Sequence, residues 1–129
     1  MNNIDRNKLN TMILDAAIEV HNFLGPGLPE SIYRVCFIKE LSLREIPYRI
    51  DVPFTLNYKG SAFKNELNVD LLIAEEVIIK IVADDNTSQS THLSYLKTAL
   101  RFTDKNTAVL INFNFTKLID GFKRITKEF

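Results

Sequence analysis

The chain has 129 residues, 46% of them hydrophobic, which suits one domain with a sizeable core and leaves too little for two. Sixteen basic and sixteen acidic side chains cancel, so no global field attracts a polyanion and nucleic-acid binding would need a local patch. The single cysteine, Cys36, excludes a disulfide framework within the chain.

Leu9, Met12, Ile13, Ala16, Val20, Phe23 and Leu24 recur at three- and four-residue steps, which predicts a helix from about Asp5 to Leu24 with one apolar stripe. Gly25-Pro26-Gly27 stops it. A second helix is predicted from about Pro29, a residue suited to a first turn, through Ile32, Val35, Cys36, Ile38 and Leu41 to about Arg44. Cys36 then reads as a buried, inert thiol. After Pro47 the period becomes two: Tyr48, Ile50 and Val52 alternate with Arg49 and Asp51. Asn57-Tyr58-Lys59-Gly60 reads as a turn into a strand from Ala62 to Ile73, which makes a hairpin. Glu75-Glu76 marks another tight turn, and the apolar run from Val77 to Ala83 predicts a central strand covered on both faces. A polar loop, Asp84 to Ser90, precedes a third helix marked by Leu93, Leu96, Ala99 and Leu100. Thr107 to Phe113 is a further buried strand, and Asp120 to Thr126 a short last element. This order implies one α/β layer structure. No stretch approaches the roughly 18 apolar residues of a membrane span, and Met1-Asn2-Asn3-Ile4-Asp5 has no apolar signal core. A cytosolic protein with no membrane partner is expected.

Gly27-Leu28-Pro29-Glu30-Ser31-Ile32-Tyr33 fits the spacing Gly-x-x-Glu-x-x-Tyr. With Ala17 to Pro26 before it, the segment resembles the GxxExxY protein family of the PD-(D/E)xK, restriction-endonuclease-like nucleases. The likeness runs from about Leu9 to Lys127 and includes Val69-Asp70-Leu71-Leu72, Leu93-Ser94-Tyr95-Leu96-Lys97, Val109 to Asn114 and Asp120 to Ile125. It implies a mixed central sheet flanked by helices. It also implies a site in which carboxylates hold Mg²⁺ or Mn²⁺ to activate water against a phosphodiester, helped by a nearby lysine. By that resemblance Glu30 and Asp70 match two acidic positions, Lys80 stands where a further glutamate would be, and Val82 stands where the lysine would be. Related exonuclease-type members carry Gln-x-x-x-Tyr on the third helix, one turn apart; this chain has Thr91 and Tyr95.

These departures imply a remnant site of Glu30, Asp70, Lys80 and Tyr95 in a protein that acts as a binding or interaction module, its partner a protein or a nucleic acid, with no cofactor. In the alternative the chain is a metal-dependent DNA or RNA nuclease in which Asp84, Asp85 or Glu30 replaces the lost ligand and Glu30 and Asp70 hold Mg²⁺ or Mn²⁺. A third reading, nucleic-acid binding without cleavage, needs a basic, linear groove near the pocket. In the remnant site the Lys80 ammonium is expected within about 4 Å of Asp70 or Glu30, as a stand-in for the metal between two carboxylates.

The same residues also have plainer readings. Glu30 is an acid at a helix start, which the helix dipole favours. His21 has no second ligand at metal spacing and reads as a capped or half-buried structural residue. His92 is expected at the surface, Asp84-Asp85 in a solvated loop, and Tyr33, Phe37 and Tyr95 in the core. Lys117, Lys123, Arg124 and Lys127 read as a solvated face rather than a groove.

Overall fold

The apolar stripe of the first helix becomes one wall of the main core. In the computed structural model, which describes residues 6–85 and 88–127, helix α1 runs Arg6–Leu24 and buries Leu9, Ile13, Ala16, Ala17 and Val20. The expected start at Asp5 lies outside the described residues. Gly25 at φ +73° and Gly27 at φ +101° take left-handed conformations that favour glycine, and the Gly25 N–H closes α1 on the His21 carbonyl at 2.8 Å. Helix α2 follows as Glu30–Leu43, with Pro29 immediately before it. The Tyr33 hydroxyl donates to the Gly25 carbonyl at 2.5 Å and accepts from the Leu28 N–H at 3.1 Å. Its ring stacks on Phe113, with centroids 4.6 Å apart. In the Gly-x-x-Glu-x-x-Tyr spacing, then, Gly27 makes the turn and Tyr33 braces it. His21 is buried, and its ring Nε2–H donates to the Phe115 carbonyl at 2.8 Å, a structural role as expected though more enclosed.

Strands β1 (Tyr48–Tyr58) and β2 (Ser61–Ile73) form the predicted hairpin. Its two-residue turn has Lys59 at φ +48° and Gly60 at φ +88°, the positive angles that a primed turn requires. A second tight turn, with Ala74 and Glu75 at positive φ and the Glu76 N–H on the Ile73 carbonyl at 2.9 Å, leads to β3 (Val77–Val82). Helix α3 (Gln89–Arg101) then crosses to β4 (Thr107–Asn112), which lies parallel to β3. A short 3-10 helix, Leu118–Gly121, precedes β5 (Phe122–Thr126), antiparallel to β4. The five strands lie in the order β1-β2-β3-β4-β5, so the sheet is mixed and α/β as expected.

Helices cover both faces. Ile79, Ile81, Val109 and Ile111 pack toward α1 and α2, while Ile78, Val82, Ala108 and Leu110 pack with Leu96, Ala99 and Leu100 of α3. That explains why β3 and β4 are apolar on every position but a few. No helix among the described residues is long and apolar enough to cross a membrane.

The register of β2 opens a gap in the sheet. This strand pairs with β3 only through Leu71, Leu72 and Ile73. Its remaining length pairs with β1 alone and forms an arm beyond the sheet. Strict alternation also breaks there, because Leu71 and Ile73 belong to the α1–α2 core while Val69 and Leu72 both belong to the α3 core. The break falls at Asp70 and at Asp51 between the flanking pairs of β1, where Asp51 has φ +53°.

Gly121 offers a direct check of the packing at the far edge. A Cβ there would run into the Asn112 carbonyl oxygen of β4 and come within 2.7 Å of Phe115 Cδ2. Gly121→Ala should therefore lower stability in urea unfolding by about 1–3 kcal/mol, the cost of overpacking a closed contact. An unchanged midpoint would contradict this close approach.

Candidate functional site

β2 and β3 part after the Leu71–Ile79 pair, and the next residues in that register are Asp70 and Lys80. Lys80 is the one residue of β3 that is not fully buried, and it lies on the α3 side of the sheet between Ile78 and Val82. Its Nζ stands 4.8 Å from the centroid of the Tyr95 ring, on α3, within the range of a cation–π contact. The Tyr95 hydroxyl crosses the gap left by the parting strands and donates to the Asn68 carbonyl of β2 at 3.0 Å. Pro53, opposite Asn68 in β1, has no N–H to offer that carbonyl. Asp70, Lys80 and Tyr95 are thus brought together from three elements. Burial, and after it the negative charge of Asp70, holds the Tyr95 phenol above its ordinary pKa.

The other side of the gap is closed by α2. One guanidinium nitrogen of Arg34 donates to Asp51 Oδ1 at 3.2 Å and to the Asp70 carbonyl at 3.4 Å. Arg34 Nε is buried, with no hydrogen-bond partner among the described residues. Glu30, one turn earlier on α2, is exposed, and among the described residues no ion pair links it to Asp70 or Lys80. The expected ion pair of Lys80 with Asp70 or Glu30 within 4 Å is likewise not formed. Its place is taken by the Tyr95 ring, because the strands have already separated at Asp70 and α3 presents the aromatic face to the ammonium. Tyr95 itself, expected in the core, is 39% exposed.

A second cluster lies just past β3. The His92 Nε2 is 2.8 Å from Asp84 Oδ2, and Asn112 Nδ2 donates to the Asp84 carbonyl at 3.0 Å and to Asp84 Oδ1 at 3.3 Å. Asn114 Nδ2 adds a second contact to that carbonyl at 3.4 Å. Asp84 is therefore fixed rather than loosely solvated, and His92, expected at the surface, is half-buried against it. No sequence period could show this, since the partners come from a loop, a helix start and a strand end. Of the basic residues near the end of the chain, Lys117, Lys123 and Arg124 are exposed, but Lys127 is held by its Nζ on the Thr103 carbonyl at 2.8 Å. Among the described residues no group of three His, Cys, Asp or Glu side chains comes close enough to hold a metal ion. Val82, which the resemblance sets at the lysine position, is 2% exposed within the α3 core.

The Tyr95 environment makes two measurable claims. Below about pH 10 the phenol is neutral whether the chain is folded or not. Above it the unfolded chain gives up the proton first, so this residue's contribution to stability is lost as pH rises through the higher folded pKa. Asp70→Asn should move the Tyr95 step of an ultraviolet tyrosine titration, identified by its loss in Tyr95→Phe, toward lower pH. An unmoved step would contradict the proximity of the Asp70 charge. In a double-mutant cycle, Lys80→Met and Tyr95→Leu should show a coupling of about 0.5–1 kcal/mol, the size of a partly exposed cation–π contact. A coupling of zero would contradict that contact.

Neither the curated proteins nor the solved structures gave a match to this chain. The family model for the PD-(D/E)XK nuclease superfamily does match, over residues 7–125, from the first turns of α1 into β5. The five-stranded mixed sheet with helices on both faces suits that match. The chain belongs to the PD-(D/E)XK nuclease superfamily.

Proposed function

We propose that this chain is a GxxExxY-type member of the superfamily whose metal-dependent site has been given over to a lysine, and that the domain works by binding rather than by cutting. The observation that carries this reading is the Lys80 ammonium over the Tyr95 ring, at the position matched to a metal-holding glutamate. Phosphodiester cleavage in such a site rests on carboxylates that hold a hard divalent cation, which orients water and offsets charge on the phosphate. Lys80 removes a ligand and also brings a positive charge to where the ion would sit. One aspartate on β2 and a lysine on β3, just past the last pair of the two strands and with no group of three His, Cys, Asp or Glu side chains close together among the described residues, do not fit Mg²⁺ or Mn²⁺. Val82, enclosed by apolar side chains, has no counterpart to the assisting lysine.

In the rearranged-site alternative Asp84, Asp85 or Glu30 would replace the lost ligand, and Asp84 is already engaged. Its Oδ2 is engaged by His92 and its Oδ1 by Asn112, so recruiting it would break a set of hydrogen bonds that position the loop after β3. A binding role is supported by how completely the scaffold has been kept: both cores are closed, and the turn braced by Tyr33 is intact. The partner is a protein or a nucleic acid recognised through local chemistry, since the net charge is zero.

Incubation of the purified protein with single- and double-stranded DNA and with RNA, in Mg²⁺ and in Mn²⁺, should give no cleavage above an identically purified Asp70→Ala protein. The loss of ligand and lysine corresponds to several orders of magnitude in rate. Metal-dependent cleavage by the wild type that vanishes in Asp70→Ala would overturn the reading in favour of a working nuclease.

A further inference from the structure

Helices α1 and α2 put one side on the sheet and leave a groove of about 400 Å³ between them on the other. Its apolar lining includes Phe23 and Leu24 of α1 and Val35 and Cys36 of α2. Phe23 is 85% exposed and Val35 60% exposed, so two large apolar side chains stand in water next to a hollow that neither fills. Scattered exposed apolar residues need no explanation, but a contiguous apolar groove with polar rims marks an interaction surface. The rims are Glu19 on α1 and Lys39 on α2. Glu40, also on α2, is already engaged by Arg44 at 2.6 Å.

We propose that this groove is closed by the same groove of a second copy of the chain. The five residues 25–29 join the two helices as a hairpin, so their directions oppose. Phe23 and Val35 lie toward the turn, and Glu19 and Lys39 lie one helical turn further from it on their respective helices. A two-fold axis running along the groove lays α1 of each copy on α2 of the other. Glu19 of one copy then meets Lys39 of its partner, twice, and each Phe23 meets Val35 and Cys36 across the axis. An isologous interface needs this kind of self-complementary patch. A patch with one charge of each sign offers no net attraction to an acidic or a basic partner, but it matches its own inverted copy. The surface lies on the far side of α1 and α2 from the sheet, so pairing leaves the Lys80 region open and is independent of what that region binds.

Charge reversal tests this pairing in the intact chain. Sedimentation equilibrium of the wild type between about 10 and 1,000 µM, the range in which small interfaces associate, should show a monomer–dimer equilibrium. Glu19→Lys alone and Lys39→Glu alone should each weaken dimerisation about tenfold or more, because like charges then face each other. The double variant Glu19→Lys/Lys39→Glu should return to within a few-fold of the wild type. Unchanged circular dichroism melting of all three would show that folding is intact. Phe23→Ser should abolish the dimer while leaving the melt unchanged, since the side chain is already in water. A wild type that stays monomeric throughout the range would overturn the proposal. A double swap that fails to recover would overturn the two-fold arrangement.

Discussion

β2 leaves β3 after the Leu71–Ile79 pair, and the geometry of the candidate site depends on that parting. While the two strands are paired, both faces are covered and side chains are apolar. Once they separate, Asn68 and Asp70 belong to an arm held only by β1, and the carbonyl of Asn68 becomes available to a hydroxyl from α3. The change of facing at Asp51 and Asp70 lets Val52 and Val69 rejoin the α3 core after Leu71 and Ile73 have packed the other way. Asp70 is exposed for the same reason. It stands at the switch point, where neither core has a place for it.

That opening also decides what Lys80 does. A lysine on a central strand must bring its ammonium to water or to a partner. A carboxylate partner would need both charges to give up solvent, and that penalty can exceed the attraction. The Tyr95 ring supplies a negative face without a second charged group to desolvate. Tyr95 is itself fixed at its far end by the Asn68 carbonyl. The ring, the hydroxyl and the ammonium therefore form a short chain of contacts from β2 to α3 to β3, across the gap between the parted strands.

Much of this fold is legible in the residues because it rests on period. The stripe from Leu9 to Leu24 predicts α1 to within a residue of its described limits, and the unbroken apolar run of β3 reflects helices on both faces. Lys80 can be assigned to the same side as the site because alternation is local. Its partner cannot, because choosing between Asp70, Glu30 and Tyr95 depends on where two strands separate and how α3 lies over them. His92 and Asp84 mislead for a related reason: each looks like a surface residue in its own segment, and their contact exists only after the crossover has formed. Gly27 and Tyr33 are visible as a motif, but their physical roles as turn and brace require the stack on Phe113, from the far end of β4.

On the proposed reading, the positive charge of this site is built into the chain as Lys80 rather than borrowed from a divalent ion. Calorimetric titration with Mn²⁺ tests it most directly, comparing the wild type with Asp70→Asn and with Lys80→Glu. The wild type should show no saturable uptake distinguishable from Asp70→Asn, whereas Lys80→Glu, which adds a second carboxylate just past the last β2–β3 pair, should bind more tightly than either. One Mn²⁺ bound per wild-type chain, and lost in Asp70→Asn, would contradict it.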